Sequence, residues 1–127
     1  MVEPNAQDAN YAALQHNLGR LRAARDQDGR RLNVVEIPMP RPVIFAPPRA
    51  SGEASTEVRL PASYANFYIA NGCVLVPVFN DPNDRIALNT LSGLFPGREI
   101  VPIYSGDLIW GFGALHCMTQ QQPGPVA

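Results

Sequence analysis

The chain has 127 residues, with 10 basic and 11 acidic side chains that leave a net charge of −1. Near-neutral charge removes the electrostatic case for a nucleic-acid or membrane partner, and the length suits one small domain within the ~50–200 residues that domains commonly span. No apolar run approaches the ~18 residues of a membrane span, and "MVEPNAQDAN" lacks the basic and apolar regions of a secretory signal, which predicts a cytoplasmic protein. In a reducing compartment, Cys73 and Cys117 are expected as free thiols.

Tyr11, Leu14, Leu18 and Leu21 recur at three- and four-residue spacing and predict a helix, with Asp8 or Asn10 able to cap its start. "DQDG" at 26–29 ends it, with Gly29 free to turn left-handed. "RLNVVEIP" at 31–38 is β-branched and apolar and predicts a strand, after which Pro38, Pro40 and Pro42 forbid regular ladder bonding. Residues 41–58 are rich in Pro, Ser, Gly and charge and predict a long loop. "NFYIANGCVLVPVF" predicts two strands around Asn71-Gly72, the dipeptide suited to a tight hairpin turn.

Asp81 as cap and Pro82 at the first helical position then open a short helix with Ala87, Leu88, Leu91 and Leu94 as its apolar stripe and Phe95-Pro96-Gly97 as its stop. "EIVPIY" predicts a strand, "SGD" a turn and "LIWGFGALHCM" a glycine-broken strand. The order helix, Gly, Arg, strand, Pro at 10–38 returns at 82–102, which suggests an α/β repeat cut partway through.

Cys117 is the residue best able to carry chemistry. A cysteine nucleophile needs thiolate character, some solvent access and a cation or base within reach, whereas an apolar setting silences it. Buried free cysteine is common and structural, so both readings stand on residue type alone. Neither histidine is a convincing base: His116 would point to the opposite face of a strand from Cys117, and His16 falls on the polar side of the first helix. Gly111 and Gly113 mark either a close approach by ligand or backbone, or a bulge. Trp110 and Cys73 read as core residues. Arg20, Arg22, Arg25, Arg30 and Arg31 are diluted by Asp26 and Asp28 and read as a solvated face. Two isolated Cys and two isolated His cannot assemble a zinc set, and no glycine-rich phosphate loop is present.

"SYANFYIANG", "PVFNDPND", "FPGREIV" and above all "LHCMTQQQP" resemble the C-terminal part of the agmatine deiminases, also called the bacterial-type peptidylarginine deiminase family. The N-terminal "NYAALQHNLGRLRAARDQDGRRLNVVEIPMP" resembles the stretch that precedes these motifs. The resemblance implies an α/β pentein, in which five ββαβ units surround a channel. It places 1–45 in the helix and last strand of one unit, 46–59 in a variable loop and 60–127 in the C-terminal unit with the nucleophile.

The resemblance further implies hydrolysis of a guanidinium substrate, agmatine to N-carbamoylputrescine and ammonia on a route to putrescine. Cys117 matches the attacking residue, an amidino-cysteine forms, and no metal or organic cofactor is required. Gly111 and Gly113 are expected near the substrate. The family's general-base histidine and guanidinium-binding carboxylates lie in earlier units, so the expected partners are a small guanidinium substrate together with further N-terminal sequence or a second copy of the chain. A non-catalytic truncated protein that binds a partner chain is the alternative. Agmatine, arginine and peptidyl-arginine all remain open as substrates.

Overall fold

"CVLVPV" combines β-branched side chains with a short apolar run, the pattern of a strand covered on its faces. In the computed structural model, which describes residues 1–46 and 57–124, this run is the central strand of the fold. The elements are α1 (Tyr11–Ala23), β1 (Ile44–Phe45), β2 (Val58–Arg59), β3 (Tyr68–Ile69), β4 (Cys73–Val78), α2 (Asp84–Leu94), β5 (Glu99–Tyr104) and a 3-10 turn at Leu108–Gly111. A three-stranded sheet has the order β3-β4-β5. β3 pairs antiparallel with β4, Ile69 opposite Val74, and β5 pairs parallel with it from Cys73 opposite Glu99 to Val78 opposite Tyr104. Parallel neighbours require a crossover. α2 provides it, so residues 68–104 form a β-β-α-β unit.

Val74 and Val76 share one buried cluster with Ala87, Leu91, Tyr64 and Ile37. Ala87 and Leu91, four residues apart, lie on one face of α2. Full burial of side chains such as Val76 and Leu91 favours folding by roughly 1.5–3 kcal/mol each. A second cluster, Leu60, Ala62, Ile109 and Ala114, lies beneath the C-terminal turns, and the partly buried Phe79 packs against both. Pro77 occupies the central strand beyond the reach of β3, whose partners are Val74 and Leu75.

The start of α2 is tied by side chains. Asp81 Oδ1 accepts the N–H of Asn83 at 2.8 Å and the Asp81 carbonyl accepts that of Asp84 at 2.9 Å. Regular helix therefore begins at Asp84, two residues after the expected Pro82, with Asn83 in the cap position and Asp81 holding the turn ahead of it. Asp84 accepts from the N–H groups of Phe79 and Asp81 and from the hydroxyl of Tyr64 at 2.7 Å. Burial, and the Asp84 carboxylate beside it, push the Tyr64 phenol well above its usual range, so it stays a neutral donor. α2 ends at Leu94, at the expected Phe95-Pro96-Gly97 stop, and Gly97, at φ 87°, turns the chain toward β5. At the other helix, Asp8 Oδ1 accepts the Asn10 N–H, and both Asp8 oxygens accept Arg59 Nη1 at 2.7 and 2.9 Å. The Arg59 guanidinium first, and the Asn10 N–H next, hold the Asp8 carboxyl below the usual carboxylate range.

Several sequence expectations are corrected. Residues 31–38 form no strand, because among the described residues they make only isolated bridges, Arg31 to Arg25 and Pro38 to Val2, and Pro38 and Pro40 have no N–H to extend a ladder. The shortened order Val2, α1, Pro38 still echoes β4, α2, β5. Gly29 takes φ 76°, yet it turns the 26–31 loop rather than α1, which already ends at Ala23. The stretch 41–58 is not loop throughout: Ile44 and Phe45 pair antiparallel with Arg59 and Val58. Most of the expected variable loop, 47–56, lies outside the described residues. The hairpin at Asn71-Gly72 forms, but neither residue takes a positive φ. Its carbonyls serve the neighbouring strand instead, Gly72 O accepting the N–H of Glu99 at 3.0 Å and Ala70 O accepting Arg98 Nε at 3.3 Å.

Tyr64→Phe removes a buried donor to an ionised carboxylate and should destabilise the fold by about 1–3 kcal/mol. Urea unfolding should show a lower midpoint with an unchanged slope.

Candidate functional site

"LIWGFGALHCM" was expected as a strand and is instead two successive turns. The 3-10 turn Leu108–Gly111 buries Ile109 completely and turns Trp110 outward, so that Trp110 is 57 % exposed rather than in the core. Its ring lies 4.6 Å from that of Phe45. Phe112 then takes φ 61°, left-handed for a non-glycine residue, and reverses the chain. Ala114, fully buried, anchors the following turn at Leu115–Met118. That turn is closed by Met118 N–H donating to Ala114 O at 3.2 Å, and the Thr119 hydroxyl donates to Leu115 O at 2.8 Å. The two glycines and the β-turn geometry interrupt any period-two pattern, which is why the strand does not form.

Cys117 is exposed on this turn, and both cysteines are free. Its sulfur accepts a hydrogen bond from Asn66 Nδ2 at 2.9 Å. The same amide's Oδ1 accepts the N–H of His116 at 2.8 Å and of Cys117 at 3.2 Å. Gly113 lies directly against the cysteine: a Cβ there would stand 2.8 Å from Cys117 Cβ and 3.4 Å from Sγ. Gly111 is different. A Cβ at that position would meet nothing within 4 Å. Of the expected site residues, the structure thus brings Gly113 and Cys117 together and leaves Gly111 exposed at the end of the 3-10 turn.

His116 shares the turn of Cys117 rather than facing away across a strand, while His16 is exposed on α1. Among the described residues, neither imidazole makes a hydrogen bond. Cys73 is half-buried at the first residue of β4 and stands outside both core clusters. The arginines of 20–31 are solvated as expected, Arg20 and Arg22 on α1 and Arg25, Arg30 and Arg31 beyond its end, with Arg22 paired to Glu36 and Arg30 to Asp26 and Asp28. Among the described residues no group of three or more His, Cys, Asp or Glu could hold a metal ion, and no helix is long and apolar enough to cross a membrane.

A model of the Porphyromonas-type peptidyl-arginine deiminase family matches residues 1–123. The chain belongs to that family. The agmatine deiminase of Pseudomonas putida is 38% identical over 130 residues, covering 96% of this chain and 35% of the relative. The solved agmatine deiminase of Enterococcus faecalis matches with a TM-score of 0.83 at 31% identity, over 98% of this chain and 36% of that one. A cysteine-to-serine form of C. jejuni agmatine deiminase with substrate bound matches with a TM-score of 0.71 at 28% identity, over 91% of this chain and 30% of that one. This peptidyl-arginine deiminase family member spans about a third of the length of the curated relatives it matches.

Sequence reasoning passed over two residues that hold the Cys117 turn. Asn66 lies inside the quoted "SYANFYIANG", where an amide in a loop among aromatics was the available signal, and Thr119 lies inside "LHCMTQQQP".

Gly113→Ala should force Cys117 off its present place and destabilise by about 1–3 kcal/mol, as overpacking does, whereas Gly111→Ala should stay within roughly 0.5 kcal/mol of the parent. Paired thermal melts check the contrast.

Proposed function

We propose that this family member is the nucleophile-bearing C-terminal part of an agmatine deiminase-like hydrolase, with Cys117 as the attacking group. The observation that carries the reading is an exposed sulfur, held by an amide and backed by a glycine, on a motif that resembles that of the deiminases. In this reading the β-β-α-β unit is one of five around a channel, and residues 1–45 belong to the unit before it. The substrate-bound relative carries serine in place of a cysteine, which suits a cysteine as the group removed to stop turnover.

The Cys117 thiolate adds to the guanidinium carbon, one terminal carbon–nitrogen bond breaks, and the departing nitrogen leaves as ammonia once protonated. An amidino-cysteine remains. Water, deprotonated by a histidine, adds to the same carbon, and the carbon–sulfur bond breaks to return the thiolate and release the ureido product, N-carbamoylputrescine from agmatine. The planar cation is clamped by carboxylates in bidentate fashion. That histidine and those carboxylates belong to the part of the relatives' length that this chain does not span, and His16 and His116 take neither role. Gly111 and Gly113 flank the substrate.

The chain alone should release no ureido product from agmatine. Combined with the N-terminal two thirds of the Pseudomonas putida relative, it should restore colorimetric ureido formation, and Cys117→Ser should remove that activity by several orders of magnitude. Turnover that survives Cys117→Ser overturns the assignment.

A further inference from the structure

The side chain of Asn66 is placed where its two ends can do different work. Backbone N–H groups only donate, so the end of the amide that faces the N–H of His116 and Cys117 has to be the oxygen. The other end, facing Cys117 Sγ at 2.9 Å, is therefore NH2 and can only donate. A thiolate accepts such a bond far better than a thiol does, because hydrogen bonding to the charged form favours that form. The Asn66 carbonyl also accepts the N–H of His116 at 3.2 Å, so backbone and side chain of one residue grip the turn on which the sulfur sits.

We propose that Asn66 is the positioning residue of Cys117, fixing the sulfur's direction through the backbone of the turn and stabilising its thiolate through the amide N–H. This extends the nucleophile reading above and rests on it for its catalytic meaning. Its physical content does not depend on turnover. The titratable neighbours are few. On the cysteine's own turn there is His116, and on the segment 61–67 there is only Tyr64, whose hydroxyl is engaged by Asp84. Among the described residues, no charged side chain hydrogen-bonds to Sγ.

Asn66→Asp is the discriminating variant. A carboxylate keeps an oxygen for the two backbone N–H groups, but it replaces the donor facing sulfur with a negatively charged acceptor. The rate of Cys117 alkylation by iodoacetamide is followed against pH in the full chain, with Cys73 as internal reference and peptide mass spectrometry to separate the two thiols. In Asn66→Asp the Cys117 midpoint should rise by at least about one pH unit, and its rate below the midpoint should fall about tenfold or more. The Cys73 profile and the melting temperature should hold. Asn66→Ala should also raise the midpoint, by less, because it loses the donor without adding a charge. A Cys117 profile unchanged in Asn66→Asp overturns the proposal, as does a rise that Cys73 shares equally. A shifted profile in a chain that never yields ureido product with its complement leaves the positioning role standing and removes the deiminase reading.

Discussion

The carboxylate of Asp84 is the point on which the arrangement depends. It stands at the first residue of α2, where the positive end of the helix favours an anion, and it gathers the end of β4 through Phe79 N–H, the turn before the helix through Asp81 N–H, and the loop between β2 and β3 through the Tyr64 hydroxyl. The end of a strand, the turn that follows it and a loop 20 residues before Asp84 thus meet at one group. Tyr64 is fully buried among the side chains of β4 and α2. The carboxylate therefore also sets where the chain emerges two residues later, at Asn66.

From Asn66 the constraint passes outward to the sulfur. The amide bridges 51 residues of sequence to Cys117. On the other side, Ala114 and Ile109 are buried in the second cluster and fix the base of the turn. Cys117 is consequently exposed and yet restrained from two directions, by an amide that rests on the first core and by a turn that rests on the second. Phe79, packed against both clusters, makes the two supports one body. A reactive thiol needs this combination, since access alone gives a loose side chain and burial alone gives an inert one.

Much of this was legible in sequence where local rules suffice. The presence of α2, its Ala87 and Leu91 face, its stop before Gly97 and the place of the hairpin at Asn71-Gly72 all follow from spacing and turn chemistry, and residue type together with the family resemblance drew attention to Cys117. Local rules failed where a partner decides the outcome. "RLNVVEIP" has strand composition but, among the described residues, finds only isolated bridges at its two ends, Arg31 to Arg25 and Pro38 to Val2, and "LIWGFGALHCM" has apolar content but is turned by its glycines and by Phe112 at positive φ. Asn66 was invisible for a different reason. Nothing within a short window around it signals an interaction with a residue near the other end of the chain, and an asparagine in a loop has many local uses.

The distribution of apolar surface argues about where the cysteine's surroundings would have to come from. The cores close beneath Cys117, while Trp110, Phe112 and Met118, all within seven residues of it, remain 57 to 65 % exposed. Large side chains scattered singly need no explanation, but exposure of three on consecutive turns around a restrained sulfur is a surface suited to being covered. The described residues thus hold the sulfur in place while the surface around it stays open. An apolar surface left open in this way is consistent with a chain that spans about a third of the length of its relatives.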